Sequence, residues 1–443
     1  MHLGIDIGTT KVAAVAADSE GRICGVASRP HGADRPAPPG YAEQDARALL
    51  ETTWAVVREL PADLRRRASS VGVTGQMHGV ALLDGSGQTV SPLVTWQDGR
   101  CLEAGFLDGL ASRTGHALST GFGGATLAWL VHHGALPPRA VAAGTIHDVA
   151  AARLCGQVRP VTDPTDAASW GLFDLRTLAW DGEAAAAAGI PLGLLPQVLP
   201  CGSRAGEIAA AMAGPLGLAA GIPVTVAIGD NQASLLATLR EPQEELAVTL
   251  GTGGQVSAVL AAGAAIDWKA SAPAFEYRPY PGGRYAVVAA SLCGGAAWAW
   301  LADAVERWTK DLGVACPPRE RLFDLLNDLG LAAPDGLAVR PHFLGERHQP
   351  LLRGSIEGID LANFDLGRLA RGLAQGILGN LRNMLPPWAL AGRTRLVGSG
   401  NALRRSPLLQ RTAAEVFGLP LALTEGREEA ALGAALHAAG HVA

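Results

Sequence analysis

Two aspartates stand where apolar runs break into polar turns. Asp6 lies in G-I-D-I-G-T-T-K at residues 4–11, and Asp230 closes V-T-V-A-I-G-D at residues 224–230. A carboxylate facing a phosphate is repelled unless a cation lies between them. Hydrated Mg²⁺ needs only one or two carboxylates beside phosphate oxygens, so Asp6 suits a Mg²⁺ ligand. It suits an aspartate capping its own turn equally well. Asp230 suits a general base aimed at a substrate hydroxyl, or a plain N-cap for the helix that N-Q-A-S-L-L-A-T-L predicts.

The turns beside these strands are Gly8-Thr9-Thr10 and, past the midpoint, Gly251-Thr252-Gly253. Small residues leave backbone N–H groups open to phosphate oxygens, and threonine hydroxyls add donors. Neither turn is a Walker A loop, and either one alone also reads as an ordinary hairpin. G-Q-M-H-G (75–79) and W-Q-D-G-R (96–100) each follow a strand and mix polar, aromatic and charged groups. That composition suits a polyol, with hydrogen bonds to hydroxyls and apolar contact with the C–H face. A lone His78 or His147 reads first as a structural histidine. Cys24, Cys101, Cys155, Cys201, Cys293 and Cys316 form no C-x-x-C pair and no zinc spacing, and read as small buried thiols of a reducing compartment.

The elements that would position these groups follow from periodicity. His2–Ile7, Val12–Ala17 and Ile23–Ser28 predict three strands, with hairpin-turn chemistry at Asp18–Gly21. E-Q-D-A-R-A-L-L-E-T-T-W-A-V-V-R-E-L has helical spacing, and S-V-G-V-T-G-Q is a short buried strand. E-A-A-A-A-A-G-I predicts a helix capped by Gly189, and G-L-F-D-L-R-T-L-A-W-D a turn-rich excursion with Trp180 packed. The strand–G-T-x–strand pattern of D-I-G-T-T-K-V-A-A-V returns in V-T-L-G-T-G-G-Q-V, which predicts two domains on a related plan. The boundary falls near Gly221–Ile228, giving domains 1–225 and 226–443.

A chain of 443 residues exceeds one ordinary core. With 48% hydrophobic and 17% charged residues it has ample material to bury, which excludes a disordered chain. The net charge is −5 and its 36 basic residues are scattered. That excludes a stripe suited to nucleic acid or an anionic membrane. Lys11, Lys269 and Lys310 are the sole lysines, which fits GC-rich codon usage better than any functional reason. No alanine-rich stretch is long enough to span a bilayer, and no basic leader precedes the first strand. The expectation is a cytoplasmic protein without a membrane or nucleic-acid partner.

Taken in order, G-I-D-I-G-T-T, G-Q-M-H-G, W-Q-D-G-R, D-A-A-S-W-G-L-F-D, G-D-N-Q-A-S, T-L-G-T-G-G, L-G-E-R-H-Q-P, G-S-G-N-A-L and A-A-L-G-A-A-L resemble the FGGY family of carbohydrate kinases over nearly the whole chain. The resemblance implies an α/β fold of two ribonuclease-H-like, actin-like ATPase domains with an interdomain cleft. It also implies ATP and Mg²⁺ as cofactors and a small-molecule ketose as substrate; a homodimer is compatible with it. Asp230 matches the family's catalytic base and Asp6 the acid near the metal. Gly8, Thr9 and Thr10, with Gly251, Thr252 and Gly253, match the phosphate hairpins, and Gly295 and Gly400 the nucleotide-side glycines. Gln76, Met77, His78, Trp96 and Asp98 match sugar-side positions, with Phe122 and Gln255 as weaker sugar-side candidates. Lys11 departs from the serine or glycine common in relatives, and Arg404 from an asparagine near the adenine.

Within the family, V-T-W-Q-D-G-R-C, T-G-F-G-G-A-T-L-A-W-L, A-A-G-T-I-H-D and F-L-G-E-R-H-Q-P are most similar to the branch that phosphorylates sedoheptulose. Xylulokinases usually carry asparagine where Gln97 stands. A ketopentose kinase is the near alternative. An actin-like or chaperone-like nucleotide-dependent binding protein is the distant one, and intact acids and hairpins speak against a non-catalytic sugar sensor.

Overall fold

The computed structural model describes residues 1–268, 274–346, 349, 351–424, 426 and 428–441. Lys269, and Arg347, His348 and Pro350 of L-G-E-R-H-Q-P, lie outside the described residues. The chain forms two compact units. The first comprises Met1–Thr238, Pro279–Gly283 and Gly426–Ala443, and the second Leu239–Arg278 and Arg284–Glu425.

The sheet of the first unit contains β1 (His2–Ile7), β2 (Lys11–Ala17), β3 (Ile23–Pro30), β4 (Ser70–Gly75), β5 (Arg204–Glu207), β6 (Pro223–Thr225) and β7 (Ile228–Gly229). Its order is β5-β6-β4-β1-β2-β3, with β7 also pairing β4. The second sheet contains β8 (Glu245–Leu250), β9 (Gly254–Val259), β10 (Arg284–Ser291), β11 (Arg395–Ser399) and β12 (Leu421–Leu423), in the order β10-β9-β8-β11-β12, with the strand Glu276–Tyr280 at its edge beside β10. In both, three antiparallel strands, consecutive in the chain in the first sheet and interrupted by the strand Glu276–Tyr280 in the second, are extended by a parallel strand: β4 beside β1, and β11 beside β8. The repeated turn motif therefore marks a repeated sheet plan.

Alternation along β1 and β2 decides which face each residue serves. Leu3, Ile5, Ile7, Val12, Ala14 and Ala16 share a core with Leu49, Val56 and Val57 of the helix Ala46–Glu59. Asp45 caps that helix by accepting from the backbone N–H of Arg47 and Ala48. Ala13, Val15 and Ala17 face the other way and pack against Ala431 and Ala435 of the helix Glu429–Ala438. Gly4 and Gly72 point to that face too. A Cβ on Gly4 would lie 1.8 Å from the Ala431 carbonyl oxygen, and one on Gly72 2.0 Å from that of Ala434. The helix thus rests directly on sheet backbone, and Asp6, two residues beyond Gly4, shares its face.

V-T-V-A-I-G-D reads as one strand but forms two. Val224 lies opposite Val71 and Ile228 opposite Thr74, so four steps along one strand match three along the other. The extra residue makes a bulge, and the Val226 N–H bonds the Ser203 carbonyl instead of the ladder. A bulge turns a strand end, here immediately before Asp230.

Candidate functional site

Asp6 and Asp230 lie in the same unit. Asp230 is the first residue of the helix Asp230–Thr238. Its approach is pinned on both sides. Thr74 Oγ1 donates to the Ile228 carbonyl at 2.6 Å, and the Gly229 N–H donates to Thr165 Oγ1 at 2.8 Å. Thr165 in turn donates to Asp163 Oδ1 at 2.5 Å. The residues preceding Asp230 are therefore fixed by two hydroxyls as well as by the sheet.

Burial, with the Asp230 and Glu428 carboxylates, pushes the Asp6 carboxyl up to about 7, against the opposing pull of Lys11. Asp6 Oδ1 is buried and has no hydrogen-bond partner. A buried orphan oxygen among other acids is the environment a divalent cation relieves, so the residues present fit Mg²⁺.

The first hairpin is held from behind by a polar network. The Thr9 carbonyl accepts from His31 Nε2 at 2.8 Å and from Gln44 Nε2 at 2.9 Å. Gln76 Nε2 donates to Gln44 Oε1 at 2.8 Å, and the Gln76 backbone N–H to the Ile7 carbonyl at 3.0 Å. Trp96 Nε1 donates to Thr9 Oγ1 at 2.9 Å. That hydroxyl keeps its own proton for another acceptor.

The structure brings the other sugar-side residues of the first unit close by. Met77 lies against Gly229, where a Cβ would meet its Sδ at 2.9 Å. His78 has a left-handed backbone, φ 72°, which is costly for a non-glycine residue and recurs at functional sites. Its N–H donates to Ser169 Oγ, and Nδ1 lies 2.7 Å from the Ser169 carbonyl, so the proton is on Nδ1. Its ring stacks on Phe122 with centroids 4.8 Å apart. Asp98 is fully buried. Its oxygens accept from the Ala42 N–H and from the backbone and guanidinium of Arg100, which makes it a clamp on its own loop.

Behind Asp230 lies a layer of buried acids. His147 Nε2 and Asp166 Oδ2 are 2.7 Å apart, and burial drives the acid up and the imidazole down. Burial, reinforced by Asp166, pushes Asp148 up to about 8 and Asp163 up to about 7. The unfolded chain releases these protons near the ordinary carboxylate value, whereas the folded chain keeps them longer. The native state therefore binds more protons, and stability falls as pH rises from about 4 to about 8. Thermal unfolding should show this decline, and Asp148→Asn should flatten it; an unchanged slope in the variant would remove Asp148 from the account.

In the second unit, the hairpin Gly251–Gly253 meets the start of the helix Gly295–Asp311. The Gly295 N–H donates to the Gly251 carbonyl at 2.8 Å, and a Cβ on Gly295 would lie 2.3 Å from that oxygen. Gly400, at φ 88°, sits equally close to the Leu250 carbonyl, at 2.4 Å from a Cβ. Gly295 and Gly400, the expected nucleotide-side glycines, thus stand where only glycine backbone fits; of the hairpin glycines, Gly253 is also crowded, its added Cβ 2.8 Å from the Ser291 carbonyl oxygen, whereas Gly251 has open space. Gln255, on β9, turns its amide to Ser257 Oγ at 3.2 Å. Beside Gly295 a cavity of about 490 Å³ opens, walled by Trp298 and Phe323 and edged by Glu320, Asp324, Asn401 and Arg405. Aromatic walls with acceptors at the rim suit a nucleoside.

Residues 1–237 match the N-terminal domain of the FGGY family of carbohydrate kinases, and residues 246–441 match its C-terminal domain. The chain belongs to this family. The FGGY kinase is 34% identical to the human sedoheptulokinase over 98% of its own chain and 96% of that one. It is 30% identical to the glycerol kinase of Thermus brockianus, over 98% and 88%. Among solved structures, xylulose kinase from Rhodospirillum rubrum superposes with a TM-score of 0.83 at 26% identity, over 99% of this chain and 88% of that one. The expected two-domain, actin-like ATPase fold is therefore the fold of this FGGY kinase, a phosphotransferase acting on a small-molecule sugar. No helix among the described residues is long and apolar enough to cross a membrane.

Several residues of the FGGY kinase site escaped the sequence reading. Thr165 was findable, because D-P-T is a helix start with proline at the first position. Glu428 had no signal, since its meaning depends on a partner 417 residues away. The cavity lies beside Arg405, whereas Arg404 Nη2 donates to Thr424 Oγ1.

Proposed function

We propose that this kinase transfers the γ-phosphoryl group of ATP to the terminal hydroxyl of a ketose, with sedoheptulose as the first candidate and sedoheptulose 7-phosphate as its product. The observation that carries phosphotransfer is the convergence of Asp6 and Asp230 beside a phosphate-type hairpin. The seven-carbon ketose rests on the near full-length similarity to sedoheptulokinases from human and mouse.

In this reading Asp230 accepts the proton of the attacking hydroxyl. Gly8, Thr9 and Thr10, with Gly251, Thr252 and Gly253, bind phosphate oxygens, and Trp96 orients the Thr9 hydroxyl. Gly295, Gly400 and the 490 Å³ cavity take the nucleoside end of ATP. Met77, His78 and Phe122 present a mixed aromatic and polar surface to the sugar, with Gln76, Trp96 and Gln255 as polar edges and Asp98 fixing the loop. Asp6 would hold Mg²⁺, which supplies charge neutralisation on the phosphates when bound. Positioning and electrostatics supply most of the rate, as in phosphoryl transfer generally. A cytoplasmic location fits a substrate of central sugar metabolism.

An ADP-release assay across sedoheptulose, xylulose, ribulose and glycerol tests the substrate. The highest kcat/KM is expected for sedoheptulose. A higher value for xylulose or ribulose selects the ketopentose kinase, and one for glycerol removes the ketose reading. ATP turnover that is independent of every sugar would remove the kinase reading itself. Slow background hydrolysis without sugar is expected.

A further inference from the structure

We propose that Lys11 is a phosphate ligand of the first hairpin, held in reserve by Glu428; the proposal rests on the phosphotransfer reading above. Lys11 closes the turn, its carbonyl accepting from the Gly8 N–H at 3.0 Å. Its ammonium is therefore anchored on the turn that carries Thr9 and Thr10. It points to the face shared by Asp6 and the 429–438 helix, where Nζ meets both Glu428 oxygens, at 2.5 and 2.7 Å.

The two partners are not equivalent. The Lys11 side chain is 47% exposed and that of Glu428 9%. Lysine is the mobile member, a compact charge on a flexible stem. Glu428 is the fixed one, its backbone held in the left-handed region at φ 66°. That conformation is disfavoured for glutamate and persists only where the surroundings enforce it.

The local charge gives the pair a task. Asp6 feels two carboxylates, Asp230 and Glu428, and one cation, Lys11. A triphosphate entering this field brings further negative charge. Phosphate oxygens are stronger competitors for an ammonium than one carboxylate, and the ammonium is already accessible. Lys11 then exchanges Glu428 for phosphate without a backbone movement. Glu428, in the unloaded protein, keeps the ammonium beside the turn, where it would otherwise swing into solvent.

The plain alternative is a strap that ties the hairpin to the 429–438 helix. The two ideas differ in sign. Calorimetry would measure the binding of Mg²⁺ with the non-hydrolysable analogue AMP-PNP to the full chain. Lys11→Met should weaken binding about tenfold, as expected for a lost charge-assisted contact. Lys11→Arg should restore most of it. Glu428→Gln should tighten binding severalfold, and the gain should vanish in the Lys11→Met, Glu428→Gln double variant.

Weakening in both single variants makes the pair a strap and overturns the proposal. So does Lys11→Met binding within twofold of the parent, or a double variant as tight as Glu428→Gln alone. If Lys11→Met does not fold, the sign of the Glu428→Gln effect decides, tightening supporting the proposal and weakening or no change overturning it. A parent chain that does not bind the analogue at all sinks the phosphotransfer reading, and this proposal with it.

Discussion

Asp230→Asn should give a folded protein whose kcat is about 10²–10⁴-fold below the parent's, measured as ADP release at saturating ketose. Asparagine keeps the shape and removes the proton acceptor. The backbone should hold its place, because Ile228 and Gly229 are fixed by Thr74 and Thr165. The melting temperature should stay level or rise, since one of the charges repelling Asp6 is gone. KM for the sugar should change little if the base acts mainly in the transition state. Turnover within a few fold of the parent would rule out Asp230 as the base, and the ketose hydroxyl would need another acceptor.

The second large effect is on folding. Gly433 of the 429–438 helix faces the 230–238 helix so closely that a Cβ would lie 1.7 Å from the Ala233 carbonyl oxygen. Backbone cannot yield as a side-chain tip can. Gly433→Val must therefore part the two helices, or lift one from the sheet on which Gly4 and Gly72 seat it. Overpacking of an ordinary core costs about 1–3 kcal/mol, and a clash with backbone belongs above that range. The expected result is insoluble protein or a strongly lowered melting temperature. Gly379→Ala provides the contrast. It lies inside the helix Leu366–Met384 with nothing within 4 Å of the added Cβ, so helix propensity should stabilise it by roughly 0.5–1 kcal/mol. Equal melting temperatures for the two variants would contradict the close packing.

How much of this was legible beforehand depends on range along the chain. β1, β2 and β3 were readable because alternation and the Asp18–Gly21 turn are local signals, and the helix 46–59 because its apolar period is 3.6. V-T-V-A-I-G-D looked continuous because a bulge leaves no mark on an apolar run; only the register against β4 reveals it. Trp180 packs as the sequence suggests, its indole N–H donating to the Pro196 carbonyl at 2.8 Å, and the turn-rich stretch around it closes as a short hairpin. At the site, Asp6, Asp230 and the glycine turns carried motif signals. The Thr9 buttress of His31 and Gln44, and the pair His147–Asp166, join residues that no spacing rule connects. Asp98 shows the converse, as its motif position suggested the sugar and its oxygens hold Ala42 and Arg100.

The helix 429–438 covers a sheet begun at the other end of the chain, Lys11 and Glu428 standing 417 positions apart. At typical translation speeds of about 5–20 residues per second, roughly 20–80 s pass before the partner of the first hairpin emerges from the ribosome. Through that interval the groove over Gly4 and Gly72 stays bare, while the whole of the second unit is being synthesised. Nascent chains should therefore recruit chaperones at the first unit long after it looks nearly finished, and arrested chains that stop before residue 429 should stay chaperone-bound.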